Sequence, residues 1–338
     1  MKKRSIGSLS VSEIGMGCMG FSHGYGQIPD EQYSIEAIRE AYQYGCTFFD
    51  TAEVYGPNLL PENKGHNERI VGEAIKGFRK DIVLATKLHL ATFEISGERS
   101  VYTAVKSHLE GSLKRLQTDY ADLYYLHRIN PDIPVEDVAD AMGQLINEGL
   151  IRGWGLSQVD VDTIEAAHKV TPLTAVQNIY NMVERGVEEK VIPFCEEHGI
   201  GLVAFSPTSS GLLSGKVDVN TEFAKVDDVR NFVPQMTKEN IQGNQPIVDL
   251  LKKFASEKGA TPVQISLAWM VKKYPNVVPI PGSKNKGRIL ENLKSSEVEL
   301  SKTALARLEE QLSKYEIYGH RGFVEDQNTR FIKKEVEK

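Results

Sequence analysis

Residues 48–56 of the chain read FFDTAEVYG. Two phenylalanines, typical of a buried strand, lead directly into the carboxylate of Asp50, and Tyr55 follows five residues later beside a glycine. A carboxylate that is buried without a partner costs several kcal/mol. We therefore expect Asp50 either to pair with a cation from elsewhere in the chain or to lie at a solvent-filled mouth.

Short β-branched and aromatic runs alternate along the chain with longer segments whose apolar residues recur at three and four spacing. This alternation is the pattern of βαβ units in a parallel sheet. Eight candidate strands predict an α/β fold, a (β/α)8 TIM barrel that forms a single domain over residues 1–338. The predicted strands are residues 13–16, 47–49, 82–86, 123–126, 152–155, 175–177, 202–205 and 277–280.

Two helical segments exceed the one helix per strand of an ideal barrel. They span residues 261–275 and 301–315, and we expect both to pack outside the barrel as extra peripheral helices. The connection 206–240 and the polar tail 316–338 have weak periodicity. These two segments are predicted to be a mobile lid and a mobile end.

The composition excludes several classes of protein. A net charge of −6 over 338 residues argues against a nucleic-acid partner, which requires a basic face. Three cysteines without a C-x-x-C pair suggest neither a disulfide framework nor a zinc site. No apolar run approaches the ~18 residues of a membrane span. The sequence predicts a soluble, cytoplasmic protein with no membrane partner, and a homo-oligomer remains open.

Polar residues follow the predicted strands. In a barrel of this class the chemistry gathers at the carboxyl ends of the strands. We therefore expect the residues at these positions to converge on one rim. From the second strand to the eighth they are Asp50, Lys87, His127, Ser157, Gln177, Ser206, and the group Gly282, Ser283 and Lys284.

Lys87 is the predicted cation for Asp50. Its positive charge favours the phenolate of a nearby Tyr55 and is predicted to lower the pKa of that phenol, which would suit general acid catalysis. His127 could donate a second hydrogen bond to the same substrate oxygen. A site of this kind contains no electron source, so a hydride donor must bind.

Residues 280–297, IPGSKNKGRILENLKSSE, carry the signal for that donor. Gly282 permits close backbone approach, Ser283 offers a hydroxyl, and Lys284 and Arg288 offer cations where a short helix begins. Two cations favour a nucleotide with an additional phosphate, which is NADPH rather than NADH. Their alternative role is that of solvated helix charges.

The sequence resembles the aldo-keto reductases in its bacterial and plant branch. The resemblance rests on FFDTAEVYG, LATK, LYYLH, GLSQ, AVQNIY, AFSPTSSGLLSGK and IPGSKNKGRILEN, which occur in family order. It implies a (β/α)8 barrel that reduces aldehydes or ketones with NADPH. It further implies a catalytic tetrad in which Tyr55 is the acid. The tetrad residues are Asp50, Tyr55, Lys87 and His127.

The resemblance also implies a set of cofactor-binding residues. Those for the nicotinamide are Ser157, Gln158 and Gln177, with Phe205 stacked on the ring. Those for the pyrophosphate are Ser206, Thr208, Gly211, Lys216 and Arg230. Those for the 2′-phosphate are Gly282, Ser283, Lys284 and Arg288, with Glu291 and Asn292 at the adenine.

One departure from the family pattern concerns the cofactor. Where relatives often read YSPLGRG this chain reads FSPTSSG, so Phe205 keeps a stacking face while Ser210 replaces a common arginine. This replacement bears on the affinity for the cofactor or on its release.

The sequence leaves more than one interpretation open for the substrate pocket and for the function of the protein. Phe21, His23 and Tyr25 either wall the pocket or pack within a loop, whereas His89, His108 and His168 are expected at the surface or in loops. One rival is an NADPH-binding regulatory subunit with slow turnover. Another is a metal-dependent barrel hydrolase, which ranks last because Lys87 would repel a divalent cation. The carbonyl substrate is a small molecule of open identity.

Overall fold

The computed structural model of the chain describes residues 1–95 and 100–321. Eight parallel strands follow one another in sequence order around a barrel. Their bounds are Met16–Gly17 (β3), Phe48–Asp50 (β4), Val83–Leu88 (β5), Leu123–Leu126 (β6), Trp154–Ser157 (β7), Ala175–Ile179 (β8), Gly201–Phe205 (β9) and Val277–Pro279 (β10).

The last strand returns to the first and closes the barrel. The Gly15 amide donates to the Pro279 carbonyl at 2.9 Å, and Gly17 forms a parallel bridge with Gly282. A Cβ atom on Gly17 would lie only 3.0 Å from the carbonyl oxygen of Ile280, so glycine permits this approach. The predicted (β/α)8 barrel is confirmed. Its extent to residue 338 stays a prediction, because residues 322–338 lie outside the described part.

A hairpin that the sequence analysis did not predict precedes the barrel. Strands β1 (Lys3–Ile6) and β2 (Leu9–Ser12) pair antiparallel, with Gly7 in the turn at a φ of 53°. The side chains of Ile6, Leu9 and Val11 are buried in the cluster of apolar side chains inside the barrel strands. The predicted first strand at 13–16 therefore begins later, at Met16, because the preceding residues belong to the hairpin and its exit.

Eleven helices of the described residues surround the strands. They are Glu31–Gln43 (α1), His66–Ala74 (α2), Val101–Leu116 (α3), Val135–Asn147 (α4), Val161–Val170 (α5), Val191–Glu197 (α6), Lys238–Gly243 (α7), Gln245–Lys258 (α8), Pro262–Lys273 (α9), Lys286–Leu293 (α10) and Lys302–Leu312 (α11).

The two helical segments expected outside the barrel differ in how deeply they are buried. Helix α11 buries only Leu308 and Leu312, as a peripheral helix does. Helix α9 is buried along most of its length, including Trp269, so its predicted peripheral position is wrong. The physical reason is that α9 is apolar on all its faces and must be covered on all of them.

The described part of the tail is hydrogen-bonded to the long connection after β9. The Asn244 side chain donates to the Tyr318 carbonyl at 2.7 Å, and the Gln235 amide donates to the His320 carbonyl at 3.1 Å. These bonds bring Arg321 to the carboxyl end of the barrel. Within the described residues, no helix is long and apolar enough to cross a membrane.

Candidate active site

The carboxylate of Asp50 is paired inside the barrel. Strands β4 and β5 are adjacent, and Lys87 Nζ lies 2.5 Å from Asp50 Oδ1 with both side chains almost fully buried. The same ammonium donates to the Thr51 carbonyl at 2.7 Å, and Gln177 Nε2 donates to Asp50 Oδ2 at 2.8 Å. Burial is the largest influence and opposes the charge on Lys87, but Asp50 and Tyr55 together outweigh it and raise the pKa of the ammonium. The predicted partner of Asp50 is therefore present.

Tyr55 lies next to this ion pair. Lys87 Nζ donates to its hydroxyl at 3.3 Å and lies 5.0 Å from the ring centroid. Burial raises the pKa of Tyr55, and the positive charges of Lys87 and Arg128 offset only part of that rise. The prediction of a lowered pKa is therefore wrong in this structure, because the loss of solvent outweighs the ammonium. Tyr55 keeps its proton at neutral pH.

His127 stands at the end of β6, where its amide donates to the Leu88 carbonyl at 2.8 Å. Its ring packs edge-on against Tyr55 with the centroids 5.6 Å apart. Burial, with Arg128 and His89 nearby, lowers the pKa of His127 well below its usual range. The imidazole is neutral, and its Nδ1 has no hydrogen-bond partner among the described residues.

Further charged side chains surround Glu53, next to the residues of the predicted tetrad. Glu53, which belongs to the FFDTAEVYG stretch, accepts from the His89 amide at 3.0 Å and contacts His108 Nδ1 at 2.9 Å and Lys64 at 3.0 Å. Burial opposes ionisation of Glu53, but these partners lower its pKa. His89 lies in the loop after β5, as expected, whereas His108 lies in α3 rather than in a loop, and Glu53 contacts both.

The residues predicted at the nicotinamide gather at the ends of β7, β8 and β9. Ser157 Oγ accepts from Arg128 at 3.1 Å, and the Arg128 guanidinium lies 6.0 Å from the ring centroid of Phe205. Gln158 has a left-handed φ of 58°, and its side-chain oxygen accepts from the Ile179 amide at 3.3 Å. With Gln177 Nε2 donating to Asp50, all three polar side chains have partners within the protein.

The loop after Phe205 has an unusual backbone. Ser206, Ser209, Ser210 and Gly211 all have positive φ, between 48° and 99°. Left-handed residues in a turn can direct backbone N–H groups toward an anion. Within this turn the Ser209 amide already donates to the Ser206 carbonyl at 2.9 Å. The buried hydroxyl of Ser210 has no partner among the described residues. Thr208 precedes this turn, and its carbonyl accepts from the Gly211 amide at 3.1 Å.

Two cations predicted at the pyrophosphate are paired with carboxylates. Lys216 Nζ lies 2.9 Å from Glu291, and Arg230 makes two bonds to Asp228 at 2.8 and 2.6 Å. Arg230 also lies over the ring of Tyr25 at 5.4 Å. Arg230 therefore connects the loop after β9 with the loop after β3.

Lys284, which follows β10, contacts the loop after β3. Its ammonium donates to the carbonyls of Tyr25 at 2.8 Å and Gln27 at 2.5 Å, and burial lowers its pKa. The Gly26 amide donates to the Asp227 carbonyl at 2.8 Å, and the Val229 amide to the Gly24 carbonyl at 3.0 Å. Lys284 therefore binds loop carbonyls in this structure rather than facing an open phosphate site.

Arg288 is arranged differently from Lys284. It lies exposed in the first turn of α10, and within the described part of the chain its guanidinium makes no hydrogen bond or ion pair. Ser283 Oγ accepts from the Asn285 amide at 3.1 Å, and Asn285 caps the helix by accepting from the Arg288 amide. A helix start with one exposed arginine suits an anion. Asn292, predicted at the adenine, is 7% exposed on the same helix.

A family model described as the Aldo/keto reductase family matches residues 13–313. The chain belongs to the aldo/keto reductase family. This result confirms the resemblance found in the sequence.

Known members of this family resemble the whole chain. A probable aldo-keto reductase 1 from Glycine max is 36% identical over 317 residues, which are 92% of this chain and 88% of the relative. A solved glycerol dehydrogenase from Gluconobacter oxydans is 25% identical with a TM-score of 0.81, covering 93% of this chain and 95% of that one. An aldo/keto reductase from Klebsiella pneumoniae, solved with NADP and acetate, is 28% identical with a TM-score of 0.71, covering 95% and 98%.

The three residues predicted at the substrate pocket of this aldo/keto reductase take different positions. Phe21 is fully buried in the core between the barrel and its helices, so packing is its role in this structure. His23 lies 5.5 Å from Tyr55 between ring centroids, and Tyr25 bridges to Asp228. His23 is thus the member of the three that adjoins the tetrad.

Two arginines near the site were missed by the sequence analysis. Arg128 directly follows His127 in LYYLHR, so its position after a strand end was a usable signal. Arg321 lies in the tail and carries no signal in the sequence, because only folding brings the tail to the rim. No group of three or more metal-ligating side chains occurs among residues 1–95 and 100–321.

Proposed function

We propose that this protein reduces an aldehyde or ketone to the alcohol with NADPH as the hydride donor. The observation that carries the proposal is the buried contact of Asp50, Lys87 and Tyr55 beside a neutral His127. Family membership supports it, and so does the relative that was solved with NADP. The balanced reaction takes a carbonyl, NADPH and one proton to an alcohol and NADP⁺.

The tetrad would supply the proton. Tyr55 keeps its proton until negative charge develops on the carbonyl oxygen, and then donates it through its hydroxyl. Lys87 would stabilise the phenolate that remains, because its ammonium already contacts the hydroxyl. Asp50 holds that ammonium in place. The neutral imidazole of His127 can donate a hydrogen bond to the substrate oxygen without competing as an acid.

The residues after β7 to β10 fit NADPH, which when bound supplies the hydride. The left-handed turn at 206–211 offers backbone N–H groups for the pyrophosphate, and Ser210 adds a buried hydroxyl with bonding capacity to spare. Arg288 offers an exposed guanidinium at a helix start for the 2′-phosphate. Ser157 and Phe205 are the proposed contacts of the nicotinamide.

We further propose a reduced, cytoplasmic location. Cys18, Cys46 and Cys195 are all buried free thiols, which agrees with a compartment that keeps thiols reduced. Assembly into a homo-oligomer stays a prediction.

The substitution Tyr55→Phe tests the reductase function. We expect kcat for a panel of aldehydes to fall by about 10²- to 10⁴-fold, the usual contribution of general acid catalysis. Binding of NADPH, followed by nicotinamide fluorescence, should be retained, because the hydroxyl is not among the proposed cofactor contacts. The exposed Tyr315→Phe is the matched control.

If Tyr55→Phe turned over aldehydes about as fast as the wild-type protein, Tyr55 would not be the general acid. Tight NADPH binding by the wild-type protein with no turnover of any carbonyl would instead favour the regulatory subunit.

A further inference from the structure

Glu53 is a buried carboxylate to which the proposed reaction assigns no role. It lies in the loop between β4 and α2, two residues before Tyr55, and its side chain is 1% exposed. Burial of a carboxylate is unfavourable unless several donors surround it. Glu53 accepts from the His89 amide at 3.0 Å and lies 2.9 Å from His108 Nδ1 and 3.0 Å from Lys64 Nζ. Its carboxylate therefore joins the loop after β5 and helix α3 to the loop that carries Tyr55.

Glu53 binds the backbone on both sides of the last residue of β5. Its amide donates to the Lys87 carbonyl at 3.1 Å, and its carboxylate accepts from the His89 amide. These two bonds enclose Leu88, where the strand ends. The Glu53 carbonyl also accepts from the Gly65 amide at 2.6 Å, at the far end of the same loop. One residue thus holds the end of β5 and both ends of the loop.

The contact between Lys87 and Tyr55 depends on these two segments. Lys87 Nζ lies 3.3 Å from the phenol oxygen, and each residue belongs to a segment that Glu53 binds. The ring of His89 also lies 4.6 Å from that of His127 between centroids. A misplacement of about 1 Å in a catalytic group can lower the rate about 10²-fold. A residue that binds both segments therefore sets a distance on which the proposed reaction depends.

His108 orients the Glu53 carboxylate. It lies in α3 between two carboxylates, with Nδ1 2.9 Å from Glu53 and Nε2 2.9 Å from Glu94. A neutral imidazole carries one N–H group, so only the imidazolium can donate to both. Burial is the largest influence and opposes this charge, as Lys64 does, but Glu53 and then Glu94 outweigh them and raise the pKa of His108.

Three further charged or titratable groups face this pair. Arg115, two turns further along α3, lies 4.0 Å from Glu53. Lys64 is 42% exposed, so solvent screens much of its charge. Burial lowers the pKa of His89 to about 4, so that ring is neutral at pH 7. His108 is therefore the member of this group whose charge changes just above neutral pH.

We propose that Glu53 is a positioning residue for carbonyl reduction, whose carboxylate, oriented by His108, holds Lys87 and Tyr55 at the distance that the proton transfer requires. The inference rests on the proposed reductase function and adds to it a residue outside the tetrad. Glu53 acts through Lys87 and Tyr55 rather than on the substrate. The defect of a variant should therefore lie in kcat and not in KM.

The substitution Glu53→Gln keeps an oxygen for the His89 amide and removes the charge that faces His108. We expect kcat for 4-nitrobenzaldehyde to fall about tenfold, the loss of a charge-assisted bond, with KM for aldehyde and NADPH within about twofold. His108→Gln should lower kcat about threefold or more. The double variant should equal Glu53→Gln, because His108 acts through the carboxylate. The exposed His198→Gln is the matched control and should leave kcat unchanged.

The pH profile of kcat is a readout that a loss of stability would not reproduce. In the wild-type protein kcat should fall about two- to fivefold as the pH rises through the raised pKa of His108, because the neutral ring serves only one carboxylate. Tyr55, whose pKa is also raised, keeps its proton over this range. The fall should be absent in Glu53→Gln and in His108→Gln.

An NMR titration of the His108 imidazole, assigned through His108→Gln, tests the pair without turnover. Its pKa should drop in Glu53→Gln, because the carboxylate that stabilises the imidazolium is gone. Thermal melting checks the folding of each variant, and if Glu53→Gln does not fold, His108→Gln alone tests the kcat effect and the pH profile.

Three results would overturn the inference. They are an unchanged kcat in folded Glu53→Gln, a fall at alkaline pH that persists in His108→Gln, and a rise in KM at constant kcat. Failure of the wild-type protein to reduce any carbonyl compound would instead refute the reductase function, while the NMR titration would still show whether Glu53 holds the charge of His108.

Discussion

At the scale of single residues, the ammonium of Lys87 holds the site together. It contacts Asp50, Thr51 and Tyr55 at once, in a place without solvent. A buried ion pair adds little net stability, because desolvation offsets the attraction. Removal of one partner is far more costly, because the other charge is then left alone. Lys87 therefore contributes to the stability of the fold as well as to the proposed reaction.

The substitution Lys87→Met should lower the free energy of unfolding by about 3–5 kcal/mol, since it leaves the Asp50 carboxylate buried without a cation. The double variant with Asp50→Asn and Lys87→Met should recover most of the lost free energy of unfolding. It should still not reduce carbonyl compounds. Urea unfolding of the wild-type protein, the single variant and the double variant measures both effects. A double variant as unstable as Lys87→Met would contradict the account of the ion pair.

At the scale of elements, two loops are joined over the carboxyl end of the barrel. The loop after β3 and the long connection after β9 pair through backbone bonds at residues 24–26 and 227–229. Lys284, which follows β10, donates to two carbonyls of the loop after β3. The two predicted phosphate cations therefore have different surroundings. Lys284 is bound to carbonyl groups, whereas Arg288 is exposed at the start of α10.

This difference predicts different effects on cofactor choice. Arg288→Ala should weaken NADPH binding about tenfold or more and leave NADH within about twofold, because its guanidinium can pair with the additional phosphate. Lys284→Ala should weaken both nucleotides to a similar degree, because it releases the loop that covers them. Fluorescence titration with each nucleotide measures the two effects. If Lys284→Ala lost affinity for NADPH but not for NADH, the ammonium of the wild-type protein would have to leave the carbonyls and bind the phosphate.

At the scale of the whole molecule, the N-terminal hairpin covers the end of the barrel opposite the site. Ile6 is fully buried, and a Cβ atom on Gly201 would lie 2.4 Å from its Cγ2. The hairpin therefore packs directly on the start of β9. The buried side chains of the hairpin form one apolar cluster with side chains inside the barrel, among them Phe48 and Val83.

Ile6→Ala should lower the free energy of unfolding by about 2–5 kcal/mol, since the tight surroundings cannot collapse into the cavity. The KM for carbonyl and cofactor should change little in the protein that remains folded, because the hairpin lies away from the rim. Val170→Ala, at a position that is 44% exposed, is the control and should cost far less. Chemical unfolding and steady-state kinetics measure the two properties. A stability loss no larger than that of the control would show that the hairpin does not cover the core.

The sequence predicted the elements that a local pattern specifies. Seven of the barrel strands were found near their observed positions, and the polar residues that end them converge as expected, because parallel strands present their carboxyl ends on one rim. The hairpin was missed although LSVS alternates apolar and polar residues, because each of its two strands has only four residues. Helix α9 was misplaced because periodicity cannot tell an element covered on every side from an outer one.

The sequence by itself determined the barrel and the family and predicted which four residues would form a tetrad, because each depends on residue types at fixed positions along the chain. The tertiary structure decided how those residues are charged and paired. The net rise in the pKa of Tyr55, the carbonyl partners of Lys284 and the hydrogen bond from Arg321 to Ser206 all depend on burial and on contacts between distant segments. Desolvation is a property of the folded surroundings, so no motif could reveal it.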